Sequence, residues 1–273
     1  ELSTVSNTYI FGRKVELTKR PSKLAEDIYQ KFGGSDKLNT QDTMKQIEVG
    51  TNLHEIAAVA GKSYYEAVKA GKPFGNAQRA ALARELVSQI NSTATVKLSE
   101  LTVAQMIDTA IEVVNIVFRK QEEINNRDGV NGMPEIFFEH RMINPMDDIG
   151  GTGDMVAFYS DGGASYFDYK TFEPAAAFKG RVSDTSNQYN VDGKIAYRNY
   201  RRQKWEISIP AYVKMLKNTY KATRIYHARA IPVATFFKKT DEFAAAAAAK
   251  DNVRLARLQS EGKTRANEIY NID

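Results

Sequence analysis

The chain contains no cysteine, three histidines and one tryptophan in 273 residues. Without cysteine it holds no disulfide, no thiolate zinc site, no cysteine-ligated iron–sulfur cluster and no thiol nucleophile. Three histidines scattered as His54, His140 and His227 argue against a multi-histidine zinc enzyme. No apolar run approaches the roughly 18 residues of a membrane span, and no secretory-signal pattern is present. The expectation is therefore a cytoplasmic protein with no membrane partner. A Gly-x-x-x-x-Gly-Lys-Ser/Thr phosphate loop is also missing, so any ATP-driven motor working with this chain would be a separate chain or domain.

What the chain does contain is enough apolar sequence, 42% hydrophobic against 26% charged, for one large domain with appendages. The net charge of +5 favours a polyanionic partner. Much of the positive charge falls late: Lys179, Arg181, Lys194, Arg198, Arg201, Arg202, Lys204, Lys214, Lys217, Lys221 and Arg224, among few acids. Tyr189, Tyr197, Tyr200 and Trp205 are interleaved with them. Any one of these residues reads as a solvated base or a core aromatic. Taken together they suit single-stranded nucleic acid, with cations on phosphates and rings on unpaired bases.

The segment Gly151 to Thr171 carries the chemistry. Two β-prone, aromatic-rich runs flank Ser160-Asp161-Gly162-Gly163, a hairpin signal. Alternation along a strand points Asp168 and Lys170 the same way, and Asp154 begins the partner strand at the end far from the turn. Both carboxylates can then meet at one end of the hairpin. Two carboxylates in a small volume repel unless a cation lies between them, and hard oxygen ligands favour Mg²⁺ or Mn²⁺. Such an ion binds a phosphodiester and lowers the pKa of a bound water, while Lys170 orients that water or stabilises developing charge. The bland alternative is a surface hairpin with solvated or paired side chains.

Upstream, Gly50-Thr51-Asn52-Leu53-His54-Glu55-Ile56 opens a helical run. With this heptapeptide, the Gly151-x-x-Asp154 strand and Asp168-Tyr169-Lys170, the chain resembles the RecB-type branch of the PD-(D/E)xK nuclease superfamily over about residues 50 to 220. The resemblance implies a metal held by His54, Asp154 and Asp168, with the Tyr169 carbonyl as a further oxygen ligand and Lys170 as the catalytic lysine. Glu139, on an expected strand Glu135 to His140, is an additional candidate that either approaches the metal or pairs with a basic neighbour. The family also has a Gln-x-x-x-Tyr helix that contacts DNA. Here Tyr212 is in place, but Ser208 stands four residues before it and the nearest glutamine is Gln203. Pro210 leaves two alternatives, a helix starting locally with Ser208 as N-cap or a longer helix kinked at the proline.

The expected fold is α/β, a restriction-endonuclease-like mixed central sheet flanked by helices. Residues 1–49 read as an irregular extension with a short helix near Ser22 to Phe32, 50–238 as the nuclease domain and 239–273 as a charged helical tail. Helices are expected over His54 to Ala70, Ala77 to Ile90 capped by Asn76, and from a Thr102 cap to about Ile124. A returning strand region from Arg224 to Phe237 is interrupted by Pro232, and His227 within it reads as structural. The resemblance implies a Mg²⁺- or Mn²⁺-dependent nuclease for single-stranded DNA or DNA ends, leaving 5′-phosphates. Tyr212, Ser208, Gln203, Lys204, Arg201 and Arg202 would hold the strand, and an RNA substrate would need the same metal chemistry. Helicase, recombination or virion proteins are the associated partners, with virion association if the chain is phage-encoded. The rival reading is a nucleic-acid-binding or structural subunit that keeps the fold without the catalysis.

Overall fold

The computed structural model describes residues 6–10, 13–17, 20–31, 41–172, 188–191, 194–197 and 200–234, with 249, 253 and 270–271. The chain runs β1 (Ser6–Ile10), β2 (Arg13–Leu17), α1 (Pro21–Lys31), α2 (Gln41–Lys69), α3 (Asn76–Thr93), α4 (Glu100–Asp128), β3 (Glu135–Asn144), β4 (Ile149–Phe158) and β5 (Ala164–Phe172). It continues through β6 (Gln188–Val191), β7 (Lys194–Tyr197), α5 (Tyr200–Asn218), β8 (Ile225–Ala234) and the two-residue β9 (Tyr270–Asn271). Two small hairpins, β1-β2 and β6-β7, stand apart from a mixed sheet of order β3-β4-β5-β8-β9. Within it β3, β4 and β5 are antiparallel neighbours, and β5 and β8 run parallel, joined through α5. The expected mixed α/β architecture with flanking helices is present.

Each strand's two-residue period feeds two cores. Met155, Ala157, Phe167 and Tyr169 pack on the α2 and α4 side with Leu53, Ile56, Met106 and Val114. Val156, Tyr166 and Met142 pack on the other side with Ile209, Met215 and Leu216 of α5. The stripe expected on α4 is spent in the first of these. Val103, Met106, Ile107, Ile111 and Val114 are buried, and Phe118 packs against them. By length and composition α4 is apolar enough to cross a membrane, but half of that apolar window is buried inside the fold.

Boundaries differ from the sequence expectation in instructive ways. Helix α2 starts at Gln41, well before His54, so the histidine lies mid-helix rather than in a first turn. Ser99, not Thr102, caps α4, its side chain accepting from the Thr102 amide, and Gly75 rather than Asn76 precedes α3 as its cap. Helix α5 continues through Pro210, so of the two alternatives the longer helix holds and Ser208 is not an N-cap. Pro210 faces solvent and lacks the amide that the Glu206 carbonyl would otherwise accept from. Pro232 does not interrupt β8, which keeps register with β5 across the Lys170–Pro232 pair. The expected tail helix lies outside the described residues, apart from β9, whose Tyr270 and Asn271 pair with β8.

Candidate metal centre

The β4–β5 hairpin is closed at one end and open at the other. At the closed end Tyr159 and Gly163 bracket the turn, with Tyr159 N–H on the Gly163 carbonyl at 2.9 Å and Gly162 at φ 79°, a left-handed value suited to glycine. At the open end the ladder stops at the Met155–Phe167 pair, although Asp154 and Asp168 stand next in register. Asp154 instead bends its own carboxylate to the neighbouring strand and accepts the Tyr169 amide at 2.6 Å. A charge-assisted bond thus replaces a ladder bond.

Asp154 and Asp168 are both buried, 8% and 5% exposed, so neither carboxylate depends on bulk water for compensation. Helix α2 lies across β3, β4 and β5 and brings His54 over this end, its Nδ1 3.3 Å from Asp154 Oδ2. The His54 ring meets Tyr169 edge-on, with centroids 6.3 Å apart. Lys170 pairs with Asp168, Nζ to Oδ2 2.5 Å.

Glu139 completes the group through an unusual backbone. It stands opposite Asp154, between the Phe138–Met155 and His140–Gly153 pairs, and has φ 50°, in the left-handed region a glutamate rarely enters. One ligand atom from each of His54, Glu139 and Asp154 lies within 4.8 Å of the others, the group among the described residues with spacing for a metal ion. Donors opposite one another across an ion with bonds of roughly 2.1–2.4 Å are separated by roughly twice that length. Three donors at this spacing therefore fit a single small divalent cation. Of the two readings of Glu139, approach to the metal site is the one its position agrees with.

Electrostatics at the open end show competition for too few positive groups. Burial pushes Asp168 up to about 6, only partly offset by Lys170 and reinforced by Asp154. Glu139, though largely exposed, is also pushed up, first by desolvation and then by the Asp154 charge. For Asp154 burial acts in the same direction, but the His54 hydrogen bond and charge, with Lys170 and the Tyr169 amide, hold it below the usual carboxylate range. Burial opposes the charged forms of His54 and Lys170, yet the acids raise both above their ordinary values. Three carboxylates thus share one imidazole, one ammonium and one backbone amide, an arrangement that could take an added positive charge.

The other expected residues are placed as follows. Asp168 stands beside the cluster, paired with Lys170, rather than as one of the three clustered donors. Tyr212 is buried beneath the centre, its hydroxyl donating to the Thr152 carbonyl at 3.0 Å and its ring stacked on Tyr166 at 4.6 Å. Gly151 makes room for it, since a Cβ there would lie 2.5 Å from the Tyr212 hydroxyl. Ser208 is buried as well. Of the six residues expected on nucleic acid, Tyr212 and Ser208 are thus buried, and Tyr212 braces β4. Arg201, Arg202, Gln203 and Lys204 lie on the first turns of α5, and their side chains fall outside the described residues. Tyr166 is the supporting residue that sequence reading missed. Its signal was the strand period that puts it on the same face as Asp168 and Lys170.

Comparison of the chain with models of known protein families, with curated proteins and with solved structures finds no match.

Proposed function

We propose that this chain is a Mg²⁺- or Mn²⁺-dependent nuclease of restriction-endonuclease-like architecture, cutting phosphodiester bonds of single-stranded DNA or DNA ends to leave 5′-phosphates. The observation that carries the reading is the convergence of His54, Glu139 and Asp154 on one volume, with Asp168 and Lys170 alongside. In this reading His54, Glu139 and Asp154 hold the ion, and Asp168 lies next to them. The ion supplies a site for a phosphate oxygen and a water of lowered pKa. An extended residue turns its amide and carbonyl toward the same neighbouring strand. Tyr169 gives its amide to Asp154, so its carbonyl faces the same side, which agrees with its expected place as an oxygen ligand.

Lys170 has a pKa raised by its acidic neighbours and stays an ammonium at neutral pH. It is therefore a donor and not a base, and its part is to orient the attacking water and stabilise charge on the phosphorane. Tyr212 and Tyr166 keep Thr152, and with it the start of β4, in place. DNA is the substrate; helicase, recombination or virion proteins are the partners proposed for it. Cleavage of end-labelled single-stranded and duplex DNA by the purified protein, with Mg²⁺, Mn²⁺ or EDTA, tests the reading. We expect metal-dependent cleavage that Lys170→Ala reduces by about 10²–10³-fold, the scale for one stabilising donor. Tight binding with no cleavage under any metal condition would instead favour a binding subunit.

A further inference from the structure

On the outer part of the sheet four rings close a circle of contacts. Phe137 lies 4.8 Å from His140 and 6.0 Å from Phe158, and Tyr220 lies 5.7 Å from His140 and 5.9 Å from Phe158, measured between centroids. A regular strand would put Phe137 and His140, three residues apart, on opposite faces. The left-handed φ of Glu139, between them, breaks that alternation and turns both rings to one side. The same residue that supplies a carboxylate to the metal cluster thus also assembles the aromatic patch.

Among the described residues Phe167 is buried and Phe74, Phe118, Phe138 and Phe158 are partly buried, yet Phe137 is 38% exposed. It lies on β3, the edge strand of the sheet. Exposed Arg141 follows His140 in the chain, and exposed Lys217 and Lys221 flank Tyr220. Among the described residues none of these three cations has an ion pair. An exposed ring, backed by three partly buried ones and set beside cations without an ion pair, suits an unpaired base with its backbone phosphate. Phe137 is two residues from Glu139, a rise of about 6.6 Å along the strand, which a single nucleotide can bridge.

We propose that Phe137, His140, Phe158 and Tyr220 form a stacking platform for an unpaired base of a single-stranded nucleic acid whose backbone passes the His54–Glu139–Asp154 cluster, an inference that rests on the nuclease reading for the path of that strand. Paired bases have their faces covered by their neighbours in the stack, so the platform selects single strands. It gives the preference for single-stranded DNA a physical seat that the buried Tyr212 does not provide.

The test is fluorescence anisotropy with the full chain and a short fluorescein-labelled oligothymidylate, with Ca²⁺ replacing Mg²⁺ so that the strand is bound and not cut. The comparison probe is an abasic strand of equal length and charge. Wild type should bind the oligothymidylate more tightly than the abasic strand. Phe137→Ala should weaken oligothymidylate binding by about five- to a hundredfold, the range for loss of one base–aromatic stack, and leave the abasic strand unaffected. Phe137→Trp should restore the preference, which separates stacking from damage to the fold. Equal wild-type affinity for the two probes, or equal weakening of both by Phe137→Ala, overturns the platform. Cleavage assays keep the two readings apart. A protein that cuts DNA but shows no Phe137 effect keeps the nuclease and loses the platform. One that discriminates bases as expected but never cuts keeps the platform and loses the nuclease.

Discussion

The two ends of the β4–β5 hairpin each carry buried or half-buried acid, and they treat it in opposite ways. At the closed end Asp161 receives Arg127 at 2.9 Å, the Gly163 amide at 2.9 Å and the Tyr226 hydroxyl. Desolvation acts against its charge, but these donors win and hold its carboxyl below the usual range. At the open end Asp154, Asp168 and Glu139 share one imidazole, one ammonium and one backbone amide, and Asp168 and Glu139 are pushed up. The fold gives Asp161 enough donors, whereas at the open end only Asp154 is held low and Asp168 and Glu139 are left short of them. The difference between the ends, together with the spacing of His54, Glu139 and Asp154, supports the proposal of a metal site at the open end.

The largest effect that sharpens this contrast is the response to metal. Mn²⁺ at a hundred times its Kd should stabilise the wild type by about 2.7 kcal/mol, a rise in Tm of about 5–10 °C for a chain of this size. Asp154→Asn should abolish that response, and Asp161→Asn at the closed end should leave it intact. A Tm that responds equally in both variants would erase the distinction between the two ends. Next in size, Asp161→Ala without metal should cost about 1 kcal/mol or somewhat more through the lost turn and Tyr226 hydrogen bonds, read as a lower urea midpoint. Tyr226→Phe should give part of the same loss.

A further effect is in pH dependence, and it has opposite signs at the two ends. Asp161 has a lowered folded pKa, so its contribution is present above its ordinary value of 3.8 and is lost as pH falls through the folded value. Asp168 in metal-free protein is raised to about 6, so the folded state holds a proton that the unfolded state gives up. Its contribution is greatest below 3.8 and is lost as pH rises from there to about 6. In EDTA, Asp168→Asn should therefore flatten the decline between those values, and Asp161→Asn should flatten the acid limb below them. Denaturant midpoints measured across pH 3 to 7 check both signs.

The hairpin and its two aspartates were legible in the sequence because strand alternation is local and the turn carries its own glycines. His54 was legible from its heptapeptide, but its helix was misread at the start. Gln41 to Glu48 is mostly polar, and only packing of Val49 and Leu53 beneath the sheet shows that the helix already runs there. The role of Glu139 was half legible. Its strand could be expected, but a left-handed glutamate cannot be read from composition, and that one dihedral both aims the carboxylate and gathers the Phe137 patch. Tyr212 was found by spacing and placed on the wrong side of its own packing, because the room left by Gly151 is a three-dimensional fact. Pro210 and Pro232 both read as interruptions, yet tertiary packing carries α5 and β8 through them.

The most direct test is anomalous diffraction from crystals of the full chain soaked in Mn²⁺. A manganese peak is expected, bonded to the His54 imidazole and to the Asp154 and Glu139 carboxylates at about 2.0–2.3 Å, with no peak at Asp161. Absence of manganese at the open end at saturating concentration, or its binding to Asp161 instead, would contradict it.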